Sequence, residues 1–399
     1  MKILFFILLI FSTTLFSKSI TLWHAYRGQE RKALEKIANQ YEKEENVKIN
    51  LLAIPYDAFD KKLTASIPRM QGPDVFIFAN DKIGNWAESG LIETLNYYFY
   101  NKKRVFLTQM FDTTIQAMVY KNKLYAIPLA FKVPVLFYNK KYIKEPPETF
   151  EELIKISKEK MAQNKILNKK RAHKKSLFGL GYENTNFFFH SFLFFSFGGK
   201  LFTEDKKVLI DSNEAKQSYK YAKYLALETR IMPEEITSAV LTTLFNKNKL
   251  IFVINGPWFS AEIDKKINYG VAPIPMIDKT HKPKPYMSNE GAFINKYSKN
   301  KAEAIKFIRY LAGNEGSKIR LKEGGQSVSV ATLYKHLTDN KLKAFNMQAQ
   351  SSEPIPNSSL MNYFWAPMTQ SLKKVLEQNV GVDKALKDAK LKIEKLLSK

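Results

Sequence analysis

The residues best suited to bind a ligand follow short apolar runs of the sequence. Arg27 lies just after "SITLWHA", Asp81 and Lys82 follow "VFIFA", and Trp258 follows "LIFVIN". In open α/β sheets, ligands bind beyond the carboxyl ends of the strands, so these turns are where binding groups are expected. A flat aromatic ring stacks on the C–H face of a pyranose, and carboxylate, amide and cationic groups hydrogen-bond to its hydroxyls. The spacing therefore predicts a carbohydrate-type site formed by these turns.

A further aromatic cluster lies near the end of the chain, in "MNYFWAP", which contains Trp365. Other interpretations stay open from the residues alone. Trp258 and Trp365 can also be packing residues of a core or of a contact between lobes. Asp81 can also be the N-cap of the helix that follows it. Trp23 lies one position too early for the first turn and is predicted to pack in the strand core.

The elements around these turns alternate between strands and helices. "SITLWHA" and "VKINLLAI" are strand-like runs, and "RGQERKALEKIANQYEKE" between them has apolar residues at helical spacing. This order predicts a βαβ unit. "VFIFA" is wholly apolar, which is typical of a strand buried on both faces. Together these patterns predict an α/β fold in which helices flank a mostly parallel sheet.

Two segments indicate a second lobe. The β-like run around residues 124–138 contains Pro128 and Pro134, which a central strand does not readily accommodate, so we expect it to cross between lobes. The Phe-rich stretch "NFFFHSFLFFSF" is too short to span a bilayer. We therefore expect it to fill a second core.

The sequence carries no recognisable catalytic or metal-binding motif. A nucleophile elbow, a P-loop and an H-E-x-x-H motif are absent, and "GLGYEN" lacks parts of a dinucleotide fingerprint. No carboxylate pair is placed for general acid and base catalysis. The histidines show no metal-ligand spacing: they are His24, His173, His190, His281 and His336. We therefore expect a protein without catalytic activity, cofactor or metal.

Residues 1–19, "MKILFFILLIFSTTLFSKS", have the features of a secretory signal peptide. They combine a basic residue, an apolar run, and small residues spaced as in a cleavage site. The chain has no cysteine, so it forms no disulfide and carries no cysteine-linked lipid. No other stretch reaches the roughly 18 apolar residues of a spanning helix. We expect a periplasmic protein.

The formal net charge of +25 is compatible with several classes of partner. A basic excess can indicate nucleic acid, an anionic membrane or acidic ligands. The lysines are spread over nearly every predicted helix and are densest at 164–176, which we interpret as a solvated face. No nucleic-acid-binding motif accompanies them. We therefore expect no nucleic-acid partner.

Longer strings of the sequence resemble the maltose/maltodextrin-binding proteins of ABC importers, within the wider group of extracellular sugar-binding proteins. In chain order they are "GPDVFIFANDKIGNWAESGLI", "KLYAIPLAFKVPVLFYNKKYIKEPPETFEEL", "FNKNKLIFVINGPWFSAEIDKKINYGVAPIP" and "VDKALKDAKLKIEK". The resemblance implies two α/β lobes, joined by crossing strands, that close over an α-1,4-linked glucan and dock on an inner-membrane permease. We expect lobe I to comprise residues 20–130 plus 285–327, and lobe II residues 131–284 plus 328–399, in a monomer.

The resemblance also implies which positions contact the ligand. The family's stacking tryptophans fall on Trp258 and Trp365, and its sugar-binding Asp and the basic residue beside it fall on Asp81 and Lys82. Other positions depart from the family pattern. Phe78 occupies the position of a stacking Trp, and Arg27 and Gly28 occupy the positions of an Asp-Lys pair. Lys132 occupies the position of an acidic residue. On a looser alignment, Asn186 and Phe188 occupy the positions of an acidic residue and a Tyr.

These departures leave the ligand open. Arg27, Lys132 and Asn186 donate hydrogen bonds where carboxylates would accept them. The leading hypothesis is a periplasmic binding protein for a malto-oligosaccharide-like sugar. The alternative is the same role for an anionic ligand such as a glycerol phosphate or a uronate. A secreted carbohydrate-active enzyme is a third possibility, and it would need two carboxylates about 5 to 10 Å apart across the cleft.

Overall fold

The computed structural model describes residues 18–99, 104–167, 176–203, 205, 207–335 and 337–398. Nearly all of the expected signal peptide and most of the basic segment at 164–176 lie outside the described residues, as do His173 and His336. Among the described helices, none is long and apolar enough to cross a membrane.

The helices occur throughout the described chain and alternate with the strands in its first half. They are α1 (Gly28–Glu45), α2 (Tyr56–Ser66), α3 (Ile83–Glu88), α4 (Asn96–Phe99), α5 (Asp112–Gln116), α6 (Phe150–Leu167), α7 (Phe187–Phe194), α8 (Asn213–Lys223), α9 (Ser238–Asn246), α10 (Lys301–Ala312), α11 (Asn314–Lys322), α12 (Asn340–Ala349), α13 (Met361–Leu376) and α14 (Val382–Leu397). Short 3₁₀ turns follow two of the strands, at Asn80–Lys82 and Pro257–Ala261.

The strands form two larger sheets and one small hairpin. They are β1 (Lys18–His24), β2 (Val47–Ala53), β3 (Val75–Ala79), β4 (Val119–Tyr120), β5 (Lys123–Leu124), β6 (Ala126–Lys132), β7 (Val135–Asn139), β8 (Phe178–Gly181), β9 (Leu250–Asn255), β10 (Tyr269–Ala272), β11 (Tyr286–Ile294), β12 (Ser327–Val328) and β13 (Glu353–Pro354). The first sheet has the order β12-β6-β11-β3-β1-β2, with β13 beside β11, and the second has the order β10-β7-β9-β8.

The predicted βαβ unit is confirmed. β1 and β2 pair in parallel over their whole length, from Lys18 opposite Val47 to His24 opposite Ala53, with α1 as the connection. The apolar positions of α1 that share the predicted face are buried: Leu34, Ile37, Ala38 and Tyr41. Trp23 is also buried in the core beneath this unit, as predicted.

Both sheets are mixed, which differs from the expected mostly parallel arrangement. In the first sheet β1 is parallel to β2 and β3, but β11 runs antiparallel to both β3 and β6. In the second sheet only β8 and β9 are parallel. The reason is the connection between the sheets. β6 carries the chain from the first sheet into β7 of the second, and β11 brings it back in the opposite direction.

The expectation that Pro128 excludes a central strand is wrong. Pro128 lies in β6, between β11 and β12, where the register against β11 shifts between Glu290 and Gly291. β12 pairs only with Phe131 and Ala130. A residue without an N–H group is tolerated here because it lies beside a bulge and outside the short β12 ladder. Pro134, in contrast, does lie at the crossing between β6 and β7.

Separate apolar cores lie on the two larger sheets. One packs around β1, β3 and the buried part of α10, and others surround β7, β9 and α7. The Phe-rich stretch forms α7, in which almost every side chain is buried. It fills a second core, as predicted, because apolar area of this kind stabilises the fold only when it is removed from water.

Candidate ligand-binding site

Asp81 is buried at the carboxyl end of β3. Its neighbour Asn80 is tied into the sheet edge, donating to the carbonyl of Ile355 at 2.9 Å and accepting from the amide of Asn289 at 3.0 Å. Asp81 is 9% exposed, and among the described residues nothing hydrogen-bonds its Oδ1. Its side chain caps neither the 3₁₀ turn nor α3, which argues against the N-cap interpretation. Burial raises the pKa of Asp81, and the positive charge of Lys82 offsets this effect only in part.

The turn that follows Asp81 contacts the segment leading to Trp365. Lys82 Nζ donates to Asn362 Oδ1 at 2.8 Å. The amide of Gly84 donates to the carbonyl of Asn357 at 3.0 Å, and a Cβ added to Gly84 would come within 2.5 Å of the Ser359 amide nitrogen. Only glycine allows this close backbone contact. The geometry therefore fixes Asp81 and Lys82 relative to α13.

The indole ring of Trp258 lies against Gly256 in the turn after β9. A Cβ added to Gly256 would lie 2.2 Å from the indole ring, so glycine is required beneath it. The ring is partly exposed and packs on the second core beside Phe188 and Phe189, with ring centroids at 6.1 and 6.4 Å. The Gly-Pro-Trp turn thus presents one indole at the end of a buried strand.

We expect Gly256→Ala to weaken ligand binding through the displacement of Trp258. The new methyl group would occupy the space of the indole ring, so the ring must move. The loss measured by titration calorimetry should not exceed that of Trp258→Ala, and the double variant should bind no more weakly than Trp258→Ala alone. Gly381→Ala is the matched control, because a Cβ there meets nothing within 4 Å. Additive losses in the double variant would contradict this coupling.

Trp365 lies in the second turn of α13 and is also partly buried. Its ring contacts Phe187 at 6.3 Å and Tyr286 at 5.6 Å between centroids. The indole Nε1 is buried, and no acceptor for it occurs in the described part of the chain. An unpartnered N–H group beside an aromatic surface is a donor that a polar ligand would satisfy.

The two tryptophans both contact the first residues of α7. Phe188 contacts Trp258 and its neighbour Phe187 contacts Trp365. Asn186 is the N-cap of this helix, and its side chain accepts from the amide of Phe188 at 3.0 Å. The structure therefore brings together Asn186, Phe188, Trp258 and Trp365 in the second lobe. Asn186 Oδ1 is occupied by the cap, and the Asn186 side chain also hydrogen-bonds the carboxylate of Glu183.

Phe78 does not offer a ring face to a ligand. It is 3% exposed because Phe59 covers one face and Tyr56 the other, each with a centroid separation of 4.7 Å. The expectation that Phe78 stands in a stacking position is corrected here: the outer ring of this stack belongs to Tyr56. Sequence reasoning missed Tyr56, which is the first residue of α2 and follows the end of β2, so the strand-end rule could have found it.

Lys132 is not a free positive charge. Its Nζ lies 3.2 Å from Glu30 Oε1 and 3.2 Å from Glu290 Oε1. Glu290 also accepts from Tyr26 Oη at 2.7 Å. Burial disfavours the charged ammonium, but the two carboxylates outweigh it and raise the pKa of Lys132. The expected cationic character at this position is therefore wrong, because acidic groups from α1 and β11 neutralise it.

Glu30, Glu290 and Tyr26 were missed from the sequence. Glu290 lies in β11, and the register that pairs Ser288 with Lys132 puts Glu290 on the same face of the sheet as Lys132. No local pattern reveals a pairing between segments so far apart in the chain. Tyr26 could have been found, since it belongs to the first strand-end turn together with Arg27.

Arg27 lies exposed at the N-terminal end of α1 and makes no side-chain cap there. The next residue, Gly28, has φ +49°, and a Cβ added to it would be 3.5 Å from the Cβ of Ala261. Ala261 ends the 3₁₀ turn that contains Trp258. The first strand-end turn therefore lies beside the turn that contains Trp258. The structure does not bring Arg27 into contact with Asp81 or Lys132.

Comparison with known proteins agrees with this architecture. The family described as "Bacterial extracellular solute-binding protein" matches residues 27–318. The maltotriose-binding protein of Pyrococcus abyssi is 27% identical over 384 residues, covering 92% of this chain and 79% of that protein. The galactooligosaccharide-binding protein of Bacillus subtilis is 27% identical over 365 residues, covering 88% of this chain and 83% of that protein.

A solved structure shows the same fold. It is described as the Thermus thermophilus maltotriose-binding protein bound with maltotriose, and it matches with a TM-score of 0.83 at 24% identity, covering 95% of this chain and 100% of that chain. The predicted two-lobed α/β fold of periplasmic binding proteins is thereby confirmed. Since the family match extends over more than half of the sequence, the chain belongs to the bacterial extracellular solute-binding proteins.

Proposed function

We propose that this chain is the substrate-binding component of an ABC importer, and that it presents a malto-oligosaccharide-like sugar to an inner-membrane permease. One observation carries the proposal. The first turn of α7 contacts Trp258 and Trp365, while the turn after β3 supplies a buried Asp81 carboxylate oxygen that has no hydrogen-bond partner among the described residues. Aromatic faces beside an unpaired acceptor suit a polyhydroxylated ring. The maltotriose-binding relative supports the choice of sugar.

We further propose that the lobes have the limits expected from the sequence, residues 20–130 plus 285–327 and residues 131–284 plus 328–399. The strands β1 to β3 lie in the first set and β7 to β10 in the second, which supports this division, but β13 and the end of β12 pair in the first sheet while their residues belong to the second set. Residues 1–19 would direct export to the periplasm, where the protein acts as a monomer without a cofactor. The sugar shifts the equilibrium between the open and closed forms only to the extent that it binds the closed form more tightly than the open form.

A neutral ligand is favoured over an anionic one. The positive charge of Lys132 is matched by Glu30 and Glu290, and the Asp81 carboxylate disfavours a nearby anion. The ammonium group of Lys82 already donates one of its hydrogen bonds to Asn362. This leaves hydrogen bonding to hydroxyls as the main polar contribution.

The site is proposed to bind without catalysing. Glu30 and Glu290 form a carboxylate pair that the sequence did not reveal, but both bond to the same Lys132 ammonium, and Glu290 also accepts from Tyr26. A glycoside hydrolase needs one carboxylic acid to protonate the leaving oxygen and a second carboxylate free to act on the opposite side. In this protein both carboxylates pair with the Lys132 ammonium group, so neither is free for these catalytic roles.

A thermal-shift screen followed by titration calorimetry tests the proposal. The screen compares maltose, maltotriose, trehalose, a galacto-oligosaccharide, glycerol 3-phosphate and a uronate. We expect maltotriose to raise the melting temperature, with a Kd that changes little between low and high salt, and to remain intact by chromatography. Stabilisation by the anionic compounds alone, with affinity that falls steeply with salt, would favour the anionic alternative. Release of shorter sugars would show an enzyme.

We expect Trp258→Ala to weaken maltotriose binding about tenfold or more, taking an aromatic contact as worth about 1 kcal/mol beyond area burial. Trp258→Phe keeps a flat ring and should lose less. The measurement is titration calorimetry at one salt concentration, with the melting temperature of each free variant as a folding control. Equal affinities for the wild type and Trp258→Ala would exclude this ring from the site.

A further inference from the structure

Tyr56 is the exposed end of a stack of three rings in the first lobe. It is the first residue of α2, and its ring lies on Phe78 with centroids 4.7 Å apart and planes at 18°. Phe78 in turn lies on Phe59 at 4.7 Å and 22°. Phe59 is fully buried and Phe78 is 3% exposed, whereas Tyr56 is 51% exposed. The stack therefore has one ring available to a ligand.

We propose that Tyr56 is the aromatic platform of the first lobe, on which a neutral pyranose unit of the bound oligosaccharide stacks. The inference rests on the proposed function. It assigns to Tyr56 the stacking contact with the sugar, which Phe78 cannot make because both faces of its ring are covered. Trp258 and Trp365 supply the corresponding surfaces from the second lobe.

The polar surroundings of Tyr56 fit a sugar. Burial of the Tyr56 hydroxyl raises its pKa, and the negative charges of Asp81 and Glu290 raise it further. One oxygen of Asp81 has no partner in the part of the chain that the structure describes, and Glu290 is held by Lys132 and Tyr26. A ring stacked on Tyr56 would thus have a hydroxyl acceptor nearby. The neutral phenol adds a donor of its own.

The support beneath Tyr56 reduces the cost of ordering it. Two buried rings fix the plane of the Tyr56 ring before a ligand arrives, so little side-chain freedom is lost on binding. An isolated exposed Tyr would lose more. Tyr97 is such a residue: it is 76% exposed on α4, and its only ring contact among the described residues is the edge of Tyr98.

Titration calorimetry with maltotriose tests this role on the full mature chain. We expect Tyr56→Ala to raise the Kd about three- to tenfold, as for the loss of one aromatic contact. Tyr56→Leu keeps apolar volume but no flat face and should lose nearly as much. Tyr56→Phe should stay within about threefold of the wild type, since only a hydrogen bond is removed. Tyr97→Ala is the matched control and should bind like the wild type.

The outcomes separate this inference from the proposed function. If the wild type binds maltotriose and Tyr56→Leu binds equally well, stacking on Tyr56 is overturned while the sugar-binding role stands. If Tyr56→Phe loses as much as Tyr56→Ala, the hydroxyl acts rather than the ring, and the platform is also overturned. If the wild type binds no oligosaccharide, both proposals fail. Unchanged melting temperatures of the free variants would attribute any loss to binding.

Discussion

Asp81→Asn is expected to weaken sugar binding and to stabilise the free protein at the same time. The carboxylate is buried and Oδ1 finds no donor among the described residues, so the native state carries an incompletely compensated charge. A hydrogen bond to a charged group contributes about 1.5 to 3 kcal/mol, so its loss should cost roughly 10- to 100-fold in affinity. Removing the buried charge should raise the free energy of unfolding by about 1 kcal/mol.

The pH dependence of stability gives a second measurement for this variant. Because burial raises the pKa of Asp81, the native state holds its proton more tightly than the unfolded chain does. Ionisation therefore costs stability above the raised pKa, and this cost disappears as the pH falls through it. The advantage of Asp81→Asn over the wild type should thus shrink on acidification.

The control for this prediction is Asp112→Asn, which alters an exposed carboxylate at the start of α5. Urea unfolding without ligand gives the stability, and titration calorimetry gives the affinity. A variant that loses both affinity and stability would show that Asp81 has a structural role in the fold. A variant that loses neither would remove Asp81 from the site.

The parts of the site that could be predicted depend on short stretches of chain. The βαβ unit follows from apolar spacing within about 35 residues, and the strand-end rule selects the turns with Arg27, Asp81 and Trp258. The position of Trp258 could also be predicted from local sequence, because Gly256, which lies beneath its ring, is only two residues away. In each case the residues that determine the geometry are neighbours in sequence.

The remaining parts depend on pairings between distant segments. Lys132 looked like a free cation because Glu290, on the adjacent strand β11, lies far along the chain. Phe78 looked like a platform because the sequence does not show which faces of its ring are covered, and Tyr56 at the start of α2 covers one of them. α13 was not predicted as a helix, and Pro367 lies inside it. A Pro there is tolerated when packing holds the helix, and its buried face includes Phe364 and Met368.

Acid is expected to destabilise both lobes through buried histidines. His24 in the first lobe is buried, and its Nδ1 accepts from the amide of Tyr26 at 3.1 Å. Burial, and then the positive charge of Arg31, lower its pKa to about 4, although Glu35 and Glu30 act in the opposite direction. His190, buried in α7 of the second lobe, has its pKa lowered to about 3 by burial.

The sign follows from proton linkage. Both pKa values lie below the unfolded value of about 6.5, so the unfolded chain binds more protons and stability rises with pH. As the pH falls from about 6.5 to 4, His24 should cost on the order of 3 kcal/mol, and His190 should cost a similar or larger amount down to about pH 3. Typical domains have only about 5 to 15 kcal/mol of stability, so the loss should be readily measured.

Two substitutions isolate these contributions. His24→Asn keeps an acceptor at the position of Nδ1, and His190→Gln keeps a polar group near Ser218, which lies 3.2 Å from His190 Nε2. Neither replacement can take up a proton, so each variant should lose less stability on acidification than the wild type. Urea unfolding at several pH values measures these slopes, and the carboxylates common to all three proteins cancel in the comparison. Parallel curves for a variant and the wild type would mean that its histidine titrates normally in the folded protein.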